Sequence, residues 1–235
     1  MSMETPELVE DVQPFKVSAL EQSGGLVMAL ATLGTLALWR WQTTRRRAWF
    51  AVAALTSLTL AGLFWLYRAP QGRRGPAGLA SDAGPLWPVD GRLAASERCH
   101  ETQFLGGPAQ RLVIAVPAWM PQVVWAPGDG VVAYRRYEPA NRSADGADSL
   151  WLGLTLSSGE RWLMRWVASA WWRPVPWFVA RRIVCGPDLG DRVHRGEVIG
   201  HLPLGGRVEL YLPADALALT IPLGRRIWGG RPVSA

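Results

Sequence analysis

Two uncharged stretches dominate the start of the chain. Gln22 to Trp39 carries no charge, and Gly25 to Leu38 is almost wholly aliphatic. A second run, AWFAVAALTSLTLAGLFWLY, extends from Ala48 to Tyr67. A helix needs roughly 20 apolar residues to cross a bilayer, and the pattern predicts a transmembrane helical hairpin over residues 22–67. Arg40, Arg45, Arg46 and Arg47 lie between the runs, and Trp39, Trp41, Trp49 and Trp65 stand near their ends, where amphipathic rings favour the headgroup level. The expected location is the cell inner (cytoplasmic) membrane, anchored by two helices. The arginines are balanced across the hairpin, so the positive-inside count does not select a side.

Beyond the hairpin the texture changes. Residues 68–85 (RAPQGRRGPAGLASDAGP) read as a Pro/Gly-rich linker. From residue 86 to 235 short β-type runs recur between turn residues: Leu112–Val116, Gly130–Tyr137, Leu150–Leu156, Phe178–Cys185 and Arg207–Leu212. Closely spaced strands of this kind predict a mainly β, compact barrel or sandwich. Asn141–Ser149 is a polar loop, and residues 1–21 form an acidic leading segment without the basic start of a signal peptide.

Charge narrows the partners. The formal net charge is +6, and Lys16 is the only lysine, so the excess is carried by arginine. A basic balance suits nucleic acid or an anionic bilayer. No recognition helix, zinc-finger spacing or aromatic RNA-binding strand is present, which leaves a phospholipid bilayer, with a larger membrane complex as a further partner. Cys99 and Cys185 read as buried thiols or as a pair that only the fold can decide. No metal-ligand spacing surrounds His100, and His194 sits in a turn.

Four stretches occur in a telling order: LYRAPQ (Leu66–Gln71), WPVDGRL (Trp87–Leu93), VIAVPAWMPQVVWAPGDGVV (Val113–Val132) and FVARRIVCGPDLGDRVHRGEVIGHLPLGGRVELYLP (Phe178–Pro213). Together they resemble the short, single-chain bacterial and archaeal type of phosphatidylserine decarboxylase. That family shows P-A-D-G, a histidine ahead of A-P-x-x-G, A-R-R-I-V-C, G-D-x-V-x-x-G and a terminal F-G-S-R-V-D-x-Y-L-P. The resemblance implies a self-cleaving chain. A serine hydroxyl attacks the carbonyl of the glycine before it, and elimination leaves a pyruvoyl group, the electron sink for loss of carbon dioxide. An aspartate and a histidine assist.

Carried onto this chain, the pattern is incomplete. The aspartate falls on Asp90 and the glycine of the cleaved bond on Gly205, but the histidine falls on Gln122 and the serine on Gly206. Gln has no proton that titrates near neutral pH, and glycine has no nucleophile. No Ser, Thr or Cys lies between Gly186 and Leu219 to take over by a slip in register. His201 is the nearest imidazole, with no nucleophile to activate. The expectation is a non-catalytic phosphatidylserine decarboxylase-like protein without the pyruvoyl cofactor, serving as a phospholipid-binding or accessory subunit. Two alternatives stand: an active decarboxylase with unusual processing, and an adaptor of the lipoyl or biotinyl type, suggested by APGDGVV and GDRVHRGEVIG. Asp90 also reads as an ordinary turn residue, and Gly205-Gly206 as a tight turn or bulge.

The segment RWLMRWVASAWWRPVPWFVARRI departs from the family. Trp162, Trp166, Trp171, Trp172 and Trp177 alternate with Arg161, Arg165 and Arg173. Aromatics with arginine suit a lipid or protein contact, and equally a Trp-rich pair of core strands.

Overall fold

The computed structural model describes residues 19–44, 47–67, 84–169, 183–202, 205–214 and 222–233. Most of the acidic segment and of the linker lies outside these residues. Two helices stand where the uncharged runs predict them, α1 (Ala19–Thr44) and α2 (Arg47–Tyr67). They pack together where side chains are small: Ala37, Ala53 and Thr56 are buried, and Gly34 lies against the Thr56 hydroxyl. Trp41 and Phe50 meet near the turn with ring centroids 5.4 Å apart.

The membrane-spanning expectation is corrected at this point. Among the described residues, no helix is long and apolar enough to cross a membrane. Thr32, Gly34 and Thr35 dilute the apolar run of α1, Thr56, Ser57 and Thr59 dilute that of α2, and Arg40 and Arg47 bound the two runs. The helical hairpin is real, but a transmembrane hairpin is not supported. Anchoring in the inner membrane by two spans loses its support with it.

The rest is β structure. Eight strands form one antiparallel sheet: β1 (Gly91–Glu101), β2 (Gly107–Val116), β4 (Gly130–Glu138), β5 (Ser149–Leu156), β6 (Arg161–Ala168), β8 (Arg192–Val193), β10 (Gly206–Pro213) and β11 (Arg226–Ile227). Their order is β11-β1-β2-β10-β6-β5-β4-β8. Three short strands, β3 (Val123–Trp125), β7 (Val184–Cys185) and β9 (Val198–His201), make a second sheet in the order β3-β9-β7. Register shifts at Leu93/Ala95 and Val132/Tyr134 mark irregularities that increase local twist and bend the large sheet.

One face of the large sheet makes the core. Val208, Leu210 and Leu212 of β10 alternate inward and join Leu112, Ile114, Leu152, Leu154, Trp162, Met164 and Trp166. The small sheet contributes Val124, Cys185 and Ile199 to the same cluster, so the two sheets pack face to face as a sandwich. The opposite face of β10 carries Arg207, Glu209 and Tyr211, as a period of two requires. This order of strands places the centre of β10, and the turn that starts it, between β2 and β6.

Candidate functional site

The turn that begins β10 is the centre of the site. Gly206 opens β10, opposite Val116 of β2 on one side and Ala168 of β6 on the other. Gly205 and Gly206 have φ of 93° and 147°, both in the region that favours glycine. A side-chain carbon built on Gly206 would meet the Val167 carbonyl oxygen well inside the 3.0 Å that real Cβ atoms keep. Position 206 is therefore glycine by conformation and by space, and not merely by lack of a hydroxyl.

Gln122 is fully buried and is tied directly to this turn. Its Oε1 accepts a hydrogen bond from the Gly205 amide at 2.7 Å. Its Nε2 donates toward the carbonyls of Pro117 at 3.0 Å, Ala118 at 3.4 Å and Met120. The loop between β2 and β3 contains Pro117 and Pro121, and it turns the carbonyls of Pro117, Ala118 and Met120 toward this one side-chain amide. The position that would carry a base in the resembled family here carries a staple between two loops.

Asp90 is also buried, just before β1. Its Oδ1 accepts from the Gly229 amide at 2.8 Å. Through this bond it holds the segment after β11 against the start of β1. His201 lies in β9, opposite Val123 and Val184. His194 is an exposed turn residue whose Nδ1 faces Asp129 at 3.5 Å. Among the described residues, no group of three His, Cys, Asp or Glu side chains is placed to hold a metal ion.

The Trp/Arg segment separates into two parts. Trp162 and Trp166 lie in β6 with no exposed surface, inside the main core. Of the two sequence readings, these residues follow the core strand and not the contact surface. Trp171, Trp172, Arg173 and Trp177 lie outside the described residues. Arg165 points to the other face and belongs to an ion cluster that nothing in the sequence pattern signalled.

Glu209 is the hub of that cluster and is fully buried. Its carboxylate accepts from Arg207 Nε at 2.7 Å, Tyr211 Oη at 2.9 Å and Arg111 Nε at 3.2 Å, with Arg165 Nη1 at 3.7 Å. Asp145, from the polar loop, reaches over to Arg165 at 2.8 Å and Arg207 at 2.7 Å. Burial alone would raise the Glu209 carboxyl, but the hydrogen bonds from Arg207 and Tyr211 and the charges of Arg111 and Arg165 hold it below the usual carboxylate range. Burial also raises Asp145, and Arg207 first, then Arg165, brings it below the usual carboxylate range. Burial pushes Tyr211 up, with Glu209 adding to the rise. Four carboxylates (Glu97, Glu138, Asp145 and Glu209) face three arginines here, so each arginine of the cluster has a carboxylate partner.

Comparison with known proteins places the chain in context. The family model described as phosphatidylserine decarboxylase matches residues 63–235. The chain is 32% identical over 212 residues to a phosphatidylserine decarboxylase proenzyme of Symbiobacterium thermophilum, covering 80% of this chain and 93% of that protein. It is 29% identical over 198 residues to the proenzyme of Saccharopolyspora erythraea, covering 81% and 79% of the two chains. Against the proenzyme of Amoebophilus asiaticus the identity is 27% over 188 residues, covering 76% and 78%. No solved structure matches.

Proposed function

Taking as premise that the chain belongs to the phosphatidylserine decarboxylase family, we propose that it is a non-processing member, which keeps the fold as a phospholipid-binding or accessory subunit and forms no pyruvoyl group. The observation that carries this reading is the turn at Gly205-Gly206. A pyruvoyl group made from the chain itself needs a serine whose hydroxyl attacks the preceding carbonyl, and position 206 supplies only a glycine, in a conformation and space that suit glycine. Gln122 supports the same reading. Its amide is committed to the Gly205 amide and the 117–121 carbonyls, and it has no proton to exchange near neutral pH. The residues present do not fit the group.

The test is the mass of the purified chain. One uncleaved species of 25.8 kDa without a hydrazine-reactive carbonyl supports the reading; two fragments, one of them carrying a carbonyl, would sink it. The relatives, named as decarboxylase proenzymes, favour a second reading, an active decarboxylase that is processed at another bond. Release of carbon dioxide from phosphatidylserine by the purified chain, lost in an Asp90→Ala variant that still folds, would select that reading instead.

A further inference from the structure

Residues 222–233 (PLGRRIWGGRPV) carry three arginines and no carboxylate. Their backbone is pinned along the start of the β structure. The Arg225 carbonyl accepts from the Leu93 amide at 3.0 Å, and the Arg231 carbonyl accepts from the Trp87 amide at 2.8 Å. Arg225, Arg226 and Arg231 are exposed, and Arg226 of β11 lies opposite the exposed Arg92 of β1. Further along the same row stand Ala115 of β2 and Arg207 of β10. Laterally paired residues share a face of a sheet. Arg207 is matched by Glu209 and Asp145. Among the described residues, no carboxylate pairs with Arg92, Arg225, Arg226 or Arg231. The Arg226 guanidinium is held over the Trp228 ring at 3.9 Å, which fixes its place on the ridge.

The opposite charge lies at the other end of the chain. Residues 1–18 carry Glu4, Glu7, Glu10 and Asp11 against the one lysine, Lys16. Gly34 beside Thr56 and Trp41 beside Phe50 set α1 and α2 antiparallel. The start of α1 therefore returns to the end of α2, from which the chain leads into the β structure. It enters that structure at the arginine ridge itself: Leu86 bridges Pro232, and the Val233 amide donates to the Pro85 carbonyl at 2.8 Å. Fully extended, residues 1–18 reach about 60 Å. An acidic segment is thus tethered, through residues 68–83, to a point beside four arginines without carboxylates. A flexible tether of this kind gives an effective concentration in the millimolar range.

We propose that residues 1–18 dock on this ridge as an internal acidic peptide, with Glu4, Glu7, Glu10 and Asp11 supplying the carboxylates that Arg92, Arg225, Arg226 and Arg231 lack. Charge complementarity and the tether together select this occupant, since guanidinium groups pair with carboxylates in a fixed fork. Docking draws the helical hairpin toward the β structure and neutralises the arginine row where it approaches Arg207 and the Gly205-Gly206 turn. Salt releases it, because the pairs are exposed. The proposal does not depend on whether the chain cleaves itself. Its failure and that of the non-processing reading are told apart by cross-links on one hand and by the mass of the chain on the other.

The test uses a water-soluble carbodiimide on the full chain. The reagent joins a carboxylate to a touching amine with loss of water and leaves arginine alone. Lys16 is the one native lysine, so Arg92→Lys and Arg226→Lys each add a reporter amine while keeping the charge. Arg192→Lys is the control, an exposed position on β8 at the other end of the strand order. Peptide mass spectrometry should find the reporter amines coupled to Glu4, Glu7, Glu10 or Asp11 of the same chain. An exposed ion pair is worth up to about fivefold, so coupling at either ridge position should exceed that at Arg192→Lys by about fivefold and fall as salt is raised. Conversely, Glu4→Gln/Glu7→Gln/Glu10→Gln/Asp11→Asn should speed the modification of Arg92 and Arg226 by phenylglyoxal by a similar factor. Equal coupling at ridge and control, coupling to other carboxylates alone, or unchanged phenylglyoxal rates would overturn the proposal. Coupling found only between two chains would assign the acidic segment to a second copy and overturn it as well.

Discussion

The buried side chain of Gln122 bonds the backbone amide of Gly205 at 2.7 Å, across 83 residues of sequence. This one contact joins the 117–121 loop to the turn that starts β10, and it explains why a residue without acid–base chemistry is kept at the centre of the site. Gln122→Ala should lower stability by about 2–3 kcal/mol, since the Gly205 amide and the loop carbonyls lose their buried partner. Gln122→Glu should be at least as costly, because a carboxylate cannot donate to the Pro117 and Met120 carbonyls. Urea unfolding monitored by far-UV circular dichroism measures both. An Ala variant as stable as the parent would show that water or a shifted loop replaces the staple.

A serine placed at position 206 should not by itself start self-cleavage. Gly206 has φ of 147°, and a Cβ there collides with the Val167 carbonyl of the neighbouring strand. Gly206→Ser should cost about 1–3 kcal/mol in backbone strain and leave a single uncleaved chain on a denaturing gel. The double variant Gly206→Ser/Gln122→His should also stay intact, because it adds loss of the staple to the strain. Cleavage in either variant would mean that β10 and β6 separate easily enough to admit the side chain.

Two tryptophans in contrasting environments should respond differently to truncation. Trp162 has no exposed surface and sits in the main core, whereas Trp119 is 71% exposed. Trp162→Ala should cost about 3–5 kcal/mol, and Trp119→Ala should stay within about 0.5 kcal/mol. Thermal melts of the two variants side by side decide it. A large loss for Trp119 would mean that its ring is part of the fold.

How far the sequence speaks for itself follows from where each partner lies. Strands β5 and β10 are readable because apolar residues alternate along them and face one core, whereas β4 shows as a β-type run whose alternation is broken by the register shift at Val132/Tyr134. Strand β1 is not readable, because Ser96, Glu97, Arg98 and His100 make most of its length polar and exposed. In β6 the alternation of Trp and Arg is visible, but its meaning is not: Arg165 faces Glu209 of β10, and that pairing exists only once the sheet is formed. The two helices form where the uncharged runs predict, yet Gly34, Ala37, Ala53 and Thr56 serve packing between them, and the run-length count alone misread them as spans. Asp90, Gln122, Gly205 and Gly206 are picked out by the resemblance of their motifs to those of the family. The second role of Gln122, as a staple, needed the course of a loop that no motif encodes.

The two cysteines should differ as nucleophiles. Both are free thiols. Burial pushes the Cys185 thiol up to about 12, with Arg135 opposing weakly, while Cys99 on β1 is raised less and is only partly buried. The thiolate is the reactive form. A chromogenic disulfide reagent at mildly alkaline pH should therefore label Cys99 first, and Cys185 only on unfolding. Equal rates in the native chain would contradict the burial of Cys185.

Glu209 offers the sharpest test of the ion cluster, because it predicts a pH dependence with a definite sign. Unfolded, the carboxyl titrates in the ordinary range near about 4.3. Folded, it is held lower, chiefly by the hydrogen bonds from Arg207 and Tyr211 against the opposing effect of burial. A depressed carboxylate contributes stability that is fully present above its unfolded value and is lost as pH falls through its folded value. Asp145 is lowered too and acts in the same direction. The parent chain should therefore lose stability from the ordinary carboxylate range downward. Glu209→Gln keeps the shape but removes the charge that compensates Arg111, Arg165 and Arg207, so it should cost about 3–5 kcal/mol near neutral pH. The same variant should show a shallower loss on acidification, because one of the groups that drives the loss is gone. Unfolding free energies measured across the acid limb for parent and variant separate these effects. A variant that is destabilised equally at every pH would leave Glu209 as a packing residue, while parallel acid limbs with no loss at neutral pH would remove it from the cluster's energetics altogether.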